Sequence, residues 1–218
     1  MLTGKKILII ITGGIAAYKS LELVRKLREK GAKVIPVMTK AAENFVTPMS
    51  VSALAQEKVY TELFDLTDEA EMGHIELSRS ADLIVVVPAS ADFIAKTATG
   101  QANDLASTII LATDTKVLMA PAMNVRMWEN PLTQKNIKIL DQNGIKFVGP
   151  NEGEMACGEF GFGRMAEAGE ILKEIEVCFR DKKLKGLHFL VTSGPTREPI
   201  DLYLIHISEP TRPIDNSY

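Results

Sequence analysis

Lys5-Lys6-Ile7-Leu8-Ile9-Ile10-Ile11-Thr12-Gly13-Gly14 decides how this chain folds. The unbroken Ile-rich run has no polar face, which is the pattern of a strand covered on both sides. Two glycines end it and let the backbone turn tightly. Ile15 to Lys30 then reads as a helix, with Tyr18, Leu21, Val24 and Leu27 as its apolar stripe and Gly31 as its stop. Lys33 to Met38 reads as a second strand, which Pro36 demotes to an edge or a bulge.

The alternation continues downstream. Thr47-Pro48 has the form of an N-cap followed by proline at the first helical position, opening a helix to about Gln56. A short strand is expected at Val59 to Leu63. Asp82 to Val87 repeats the buried-strand pattern, followed by a helix from Ala89 to about Thr97 and another from Asn103, its expected cap, to Ala112. Lys116 to Ala120 is a strand, Leu132 to Gln142 a helix stopped by Asn143-Gly144, and Lys146 to Val148 a short strand. Asn151 to Arg164 carries four glycines without periodicity and reads as a loop or flap. Ala166 to Phe179 is a helix. Strands alternating with helices imply an α/β fold: a three-layer, Rossmann-like (flavodoxin-like) parallel sheet with helices on both faces.

The 218 residues are 46% hydrophobic and 24% charged, a globular balance rather than a disordered one. A net charge of −3 argues against a nucleic-acid or polybasic membrane binder. The longest apolar runs, Ile7 to Ile11 and Leu83 to Val87, are too short to cross a bilayer. Cys157 and Cys178 are the two cysteines, and the expectation is a cytoplasmic protein with free thiols. No metal is expected, since neither CxxC nor HxxxH occurs.

In an open α/β sheet, ligands bind beyond the carboxyl ends of the strands. Gly13-Gly14, Thr39, Pro88-Ala89-Ser90, Pro121-Ala122-Met123-Asn124 and the Cys157 segment each follow a predicted strand. Gly13-Gly14 either brings amide N–H groups to an anion or simply makes a tight turn. It is neither GxGxxG nor a phosphate loop. Thr39 and Ser90 either donate to a ligand or cap helices. His74 is either a surface or cap residue or a general base, and it precedes its strand instead of following one. Asn124 either holds a carboxylate or heterocycle or caps a short helix through Trp128. Cys157, on the glycine-rich segment, suggests reactivity or substrate contact, whereas Cys178 fits a core position.

Five segments, in order and spacing, carry a family resemblance: Gly13-Gly14-Ile15-Ala16-Ala17-Tyr18-Lys19, Met72-Gly73-His74-Ile75, Pro88-Ala89-Ser90-Ala91-Asp92, Ala120-Pro121-Ala122-Met123-Asn124 and Ala156-Cys157-Gly158. Residues 4 to about 201 resemble the homo-oligomeric flavin-containing cysteine decarboxylases. Within them they resemble the phosphopantothenoylcysteine decarboxylase half of the bifunctional coenzyme A biosynthesis proteins. The resemblance implies flavin mononucleotide (FMN) held at the subunit interfaces of a homotrimer, with trimers sometimes assembling into dodecamers. It also implies 4′-phospho-N-pantothenoylcysteine as substrate and 4′-phosphopantetheine plus carbon dioxide as products. Direct loss of the carboxylate would leave an unstabilised carbanion. Prior oxidation of the carbon bearing sulfur to a thioaldehyde lets the electrons delocalise onto sulfur, and the hydride is returned afterwards.

By that resemblance His74 is the base, Asn124 orients the substrate carboxylate, and Cys157 supplies a proton in the final reduction. Gly13, Gly14, Thr39, Ser90 and Met123 would contact the flavin; Asn124, Ala156, Cys157 and Gly158 would contact substrate. The expected organisation is a flavin-binding decarboxylase domain over 1–180, a linker over 181–187, the start of a ligase domain over 188–201 and a non-native tail over 202–218. Val191 to Asp201 resembles the opening of the ligase half, and Leu204 to Arg212 resembles a translated sequencing-adapter read. No ligase activity is expected from so short a piece. Rival readings are a peptidyl-cysteine decarboxylase, a non-enzymatic flavin-binding regulatory subunit, a flavin prenyltransferase relative and a nicotinamide-binding domain.

Overall fold

The Ile-rich run forms β1 (Lys6–Ile11), and every residue of it after Lys6 is buried. In the computed structural model of the chain, residues 2–62, 73–156 and 158–180 are described, with 73–76 as backbone only. The expected linker, ligase opening and tail over 181–218 lie outside the described residues, as does Cys157. β1 is flanked by β2 (Lys33–Met38) and β3 (Leu83–Ala89). β4 (Val117–Pro121) and the two-residue β5 (Lys146–Phe147) complete a sheet of order β2-β1-β3-β4-β5, all pairs parallel.

Alternate residues of the strands feed two apolar layers. Ile7, Ile9, Ile11, Val85 and Val87 pack with Leu23, Val24 and Leu27 of α1 (Tyr18–Glu29), Val51 of α2 (Pro48–Ala55) and Ile171 and Ile175 of α8 (Ala168–Cys178). Leu8, Ile10, Ile84 and Val86 face the other way. They meet Phe93 and Ile94 of α4 (Ala91–Ala98), Ile109 of α5 (Leu105–Ala112) and Leu140 of α7 (Pro131–Gln142). Leu77 of α3 (Gly73–Ser80) packs on this second layer. The three-layer expectation therefore holds. Burying an aliphatic side chain stabilises by about 1.5–3 kcal/mol, so the two layers carry the fold.

Pro36 sits where it does no harm. β2 is the edge strand, and its Lys33 N–H donates inward to Lys5 while Met38 N–H donates outward to the Tyr60 carbonyl. The alternation turns the Pro36 nitrogen to the open edge, and the Pro36 carbonyl accepts from Tyr60 N–H at 3.0 Å. The strand expected at Val59 to Leu63 is reduced, among described residues, to a single bridge between Val37 and Tyr60.

Three other sequence expectations shift. The buried face of α1 is Ser20, Leu23, Val24 and Leu27, while Tyr18 is 58% exposed. A strict i+3 series drifts around the helix, and the i, i+3, i+4, i+7 set is the one that stays on a face. The cap of α5 is Asp104, whose Oδ1 accepts from Ser107 N–H at 2.7 Å, rather than Asn103. Asn151 to Arg164 is not a loop but an antiparallel hairpin, β6 (Asn151–Glu154) with β7 (Phe160–Arg164). Its glycines conceal the strand periodicity. Two of them allow close packing against α6 (Val125–Glu129) and the residues before it: a Cβ on Gly161 would lie 2.7 Å from Val125 Cγ2, and one on Gly163 would collide with the Met123 carbonyl.

Candidate functional site

In this sheet order, β1 and β3 are neighbours whose connections leave in opposite directions, which opens a crevice beyond their carboxyl ends. Thr12 closes the floor of that crevice. Its buried hydroxyl donates to the Pro88 carbonyl at 2.7 Å and accepts from the Ser90 N–H at 3.0 Å. The ends of the two strands are thus held together by a side chain at the last polar step of the Ile run. Nothing in the motif reading singled Thr12 out. The signal was a hydroxyl buried directly after a strand that has no polar face.

Gly13 and Gly14 turn the chain into the short helical turn Ile15–Ala17, whose first bond runs from Ala17 N–H to the Gly14 carbonyl at 2.9 Å. This leads directly into α1, so the first N–H groups of a helical run open on the crevice, the arrangement that suits an anion. A Cβ on Gly13 would lie 2.6 Å from Ala41 Cβ, so the two connections touch; a Cβ on Gly14 meets nothing within 4 Å. Thr39 lies on the neighbouring connection. Its N–H donates to the Ile11 carbonyl at 3.0 Å and its hydroxyl to the same carbonyl at 3.4 Å, and neither caps a helix through its side chain. Ser90 does cap one: its Oγ accepts from Phe93 N–H at 3.3 Å and opens α4.

β4 delivers the next group. Ala122 N–H donates to the Ala89 carbonyl at 3.1 Å, and Met123 N–H to the Gly163 carbonyl at 3.0 Å. The exit of β4 is therefore bound to β3 on one side and to the hairpin on the other. Asn124 makes the cap that was one of its two expected roles, and its amide nitrogen meets a carboxylate of the chain itself. Its Oδ1 accepts from Arg126 N–H at 2.7 Å and caps α6, while its Nδ2 donates to the Glu159 carboxylate. Ala156 and Gly158 lie at the hairpin's connecting turn, where Gly158 N–H donates to the Met155 carbonyl at 2.9 Å.

The base of the hairpin is clamped. Glu167 accepts from Lys19 Nζ at 2.7 Å and from Arg164 Nη2 at 2.8 Å, joining α1, β7 and the start of α8. These two cations, Lys19 first, hold the Glu167 carboxyl below the usual range. Asn151 of β6 donates to Glu170 at 2.7 Å, and the same Glu170 oxygen accepts from Glu167 N–H at 2.8 Å.

Gly13, Gly14, Thr39, Ser90, Met123, Asn124, Ala156 and Gly158 thus all fall on the connections at the carboxyl end of the sheet or on the hairpin docked there. His74 is in the first turn of α3, whose last turn reaches the other end, where Thr113 and Thr115 hydroxyls donate to the Ser78 carbonyl. An eight-residue helix rises about 12 Å, so His74 is carried a helix length from that edge. Its side chain lies outside the described residues. Cys178 is half-buried, packed against the α1–α8 layer from outside the buried core in which it was expected. A cavity of about 300 Å³ between α4, α5 and α7, lined by Thr97, Ile110, Leu140 and Ile145, includes none of these site residues. Among the described residues, no helix is long and apolar enough to cross a membrane.

An open parallel sheet with small residues, amide groups and a docked hairpin at its switch point defines a class of nucleotide- or cofactor-binding α/β proteins. The chain belongs to the Flavoprotein family, whose model matches residues 1–179. It is 50% identical over 200 residues to the coenzyme A biosynthesis bifunctional protein CoaBC of Vibrio vulnificus, covering 92% of this chain and 50% of that protein. It is 48% identical over 201 residues to the CoaBC protein of Escherichia coli strain K12, with the same coverage. The chain spans about half the length of the curated relatives it matches. Among solved structures it is similar to a cysteine-to-serine mutant of PPC decarboxylase complexed with pantothenoylaminoethenethiol. That match has a TM-score of 0.73 and 33% identity over 79% of this chain and 97% of the other. The FMN binding protein AtHal3 matches with a TM-score of 0.72 and 33% identity over 80% and 96%.

The residues present fit a flavin. The crevice carries a helical N-terminal run for a phosphate, open space beside Gly14, and backbone and hydroxyl groups without a charged side chain among the predicted flavin contacts.

Proposed function

We propose that this chain decarboxylates 4′-phospho-N-pantothenoylcysteine to 4′-phosphopantetheine with bound FMN, as a step of coenzyme A biosynthesis. The observation that carries the reading is the contact between Asn124 and the hairpin. A carboxamide suited to a carboxylate stands against the segment bearing Ala156 and Gly158, beside the β1/β3 crevice. The 33%-identical PPC decarboxylase structure, complexed with a pantothenoyl enethiol, agrees with that chemistry.

When bound, a flavin supplies the acceptance and return of a hydride. The chain's own groups bind, orient and move protons. Gly13, Gly14, Thr39, Ser90 and Met123 hold the cofactor. Asn124 Nδ2 donates to the substrate carboxylate and sets its angle for departure as carbon dioxide. His74 takes the thiol proton when the carbon bearing sulfur is oxidised, and Cys157 returns a proton when the enethiol is reduced. Ala156 and Gly158 cover the substrate and exclude water.

The chain works as a homotrimer, with dodecamers as the higher assembly, in the cytoplasm. Ile15, Tyr18, Phe45 and Met49 support association of copies: all are exposed, Met49 by 82%, around the connections that follow β1 and β2. A second copy covering them would complete the site.

The test is direct. The purified protein is expected to be yellow, to release carbon dioxide from phosphopantothenoylcysteine and to yield phosphopantetheine. His74→Asn should keep the colour and lose turnover; Cys157→Ser should release carbon dioxide and stall before reduction. A colourless protein, or one inert toward this substrate, would overturn the reading.

A further inference from the structure

Asn124 already has a carboxylate on its carboxamide. Its Oδ1 is committed to the Arg126 N–H at 2.7 Å, which fixes the amide's orientation and turns Nδ2 toward the hairpin. There the acceptor is the Glu159 side chain, held at the hairpin turn by a bond from Met155 N–H to the Glu159 carbonyl at 2.9 Å. The tip of the hairpin thus presents an anion to the same donor that the proposed reaction needs for the substrate carboxylate.

We infer that Glu159 is an internal competitor for that carboxylate, displaced when a carboxylate-bearing ligand binds and restored when the carboxylate is gone. The inference rests on the decarboxylase reading above. Nδ2 carries two hydrogens, yet two carboxylates on one neutral amide nitrogen would repel each other at close range. The hairpin can yield at its tip. It pairs as a two-stranded sheet, which is marginal by itself. Beyond the packing of Gly161 on Val125, its attachments by hydrogen bonds and ion pairs are at the other end: Asn151 to Glu170, Arg164 to Glu167, and the Gly163 carbonyl to Met123 N–H. Substrate therefore binds against the Glu159–Asn124 bond, whereas the product, which has lost its carboxylate, binds with that bond intact. Loss of carbon dioxide lets Glu159 return, and this discriminates between substrate and product at one donor.

The test uses the flavin-loaded protein and a non-reactive pair of ligands that differ only in the carboxylate: phosphopantothenoyl-serine and phosphopantothenoyl-ethanolamine. Glu159→Gln keeps an acceptor for Asn124 but removes its charge. It should tighten the serine ligand roughly fivefold and leave the ethanolamine ligand unchanged, because a neutral acceptor holds the amide less strongly than a charged one. Glu159→Ala should tighten the serine ligand at least as much. In the unmodified protein, amide hydrogen exchange at the hairpin tip should rise with the serine ligand relative to the ethanolamine ligand. Equal shifts for both ligands, or weaker binding of the serine ligand, would make Glu159 a positioning residue and overturn the inference alone. Failure of the unmodified protein to bind either ligand would remove the decarboxylase reading and the inference with it.

Discussion

The Thr12 hydroxyl bonds the two sides of the sheet's switch point, donating to Pro88 at 2.7 Å and receiving the Ser90 N–H at 3.0 Å. Both partners follow from one buried residue, and Ser90 in turn opens α4. Thr12→Val has nearly the same shape but leaves a carbonyl and an N–H without their partner. We expect a loss of about 1–3 kcal/mol in unfolding free energy and a lower flavin content. Thr12→Ser keeps the hydroxyl and should recover most of both. Chemical denaturation, with flavin absorbance read on the same samples, checks this; a Val variant as stable as the parent would show the bonds to be dispensable.

Gly13 is constrained by its neighbour. A Cβ there would meet Ala41 Cβ at 2.6 Å and the Ala41 backbone at 3.2 Å, so the connections after β1 and β2 must move apart. Gly13→Ala should cost about 1–3 kcal/mol and weaken flavin retention. Adding Ala41→Gly removes the nearer clash and should restore part of the cofactor. Flavin-to-protein ratios after dialysis decide between this and a simple turn.

The sheet was legible because its signal is local. Ile7 to Ile11 and Leu83 to Val87 have no polar face, as covered strands should, and Pro36 pointed to an edge or a bulge, of which the structure shows the edge. The hairpin was not legible, because Gly161 and Gly163 satisfy Val125 and Met123 across space, and Gly153 makes room for the Arg164 side chain, so none follows a period along the chain. The candidate site was read as a set of strand exits, which the structure gathers at one end of the sheet, and its proposed roles come from the resemblance. Thr12 and Glu159 escaped because each acts through a residue distant in sequence: Pro88 for one, Asn124 for the other.

Asn124 combines a cap with a donor, and the two can be separated. Serine is as good an N-cap as asparagine but is too short to replace Nδ2 at the hairpin. Asn124→Ser should therefore change unfolding free energy by no more than about 0.5 kcal/mol through α6. Loss of a donor to a charged group should weaken substrate binding roughly tenfold or more. Binding of the carboxylate-free product should change far less. Equal losses for substrate and product in titrations would mean that the carboxamide does not read the carboxylate.

Acid should loosen the hairpin's anchor. Lys19 and Arg164 hold the Glu167 carboxyl below its ordinary value, and the N–H of Lys6 at the start of β1, followed by Lys5, does the same for Asp82, just before β3. A carboxylate with a depressed folded pKa contributes fully above its unfolded pKa. That contribution fades as pH falls through the ordinary carboxylate range and is gone below the folded value. Stability should accordingly be flat from neutral pH to about 5 and decline below it. Both side chains are partly exposed, so each share is modest, on the order of 1 kcal/mol or less. Glu167→Gln should lower stability at neutral pH and flatten the decline, because the group that gains a proton is gone. Asp82→Asn should act in the same direction without affecting the hairpin. Hydrogen exchange at Asn151 and Arg164 distinguishes them: it should rise in the Glu167 variant and stay at the parent level in the Asp82 variant. Unchanged hairpin protection in Glu167→Gln would show that Asn151–Glu170 and the Met123–Gly163 bond hold the base by themselves.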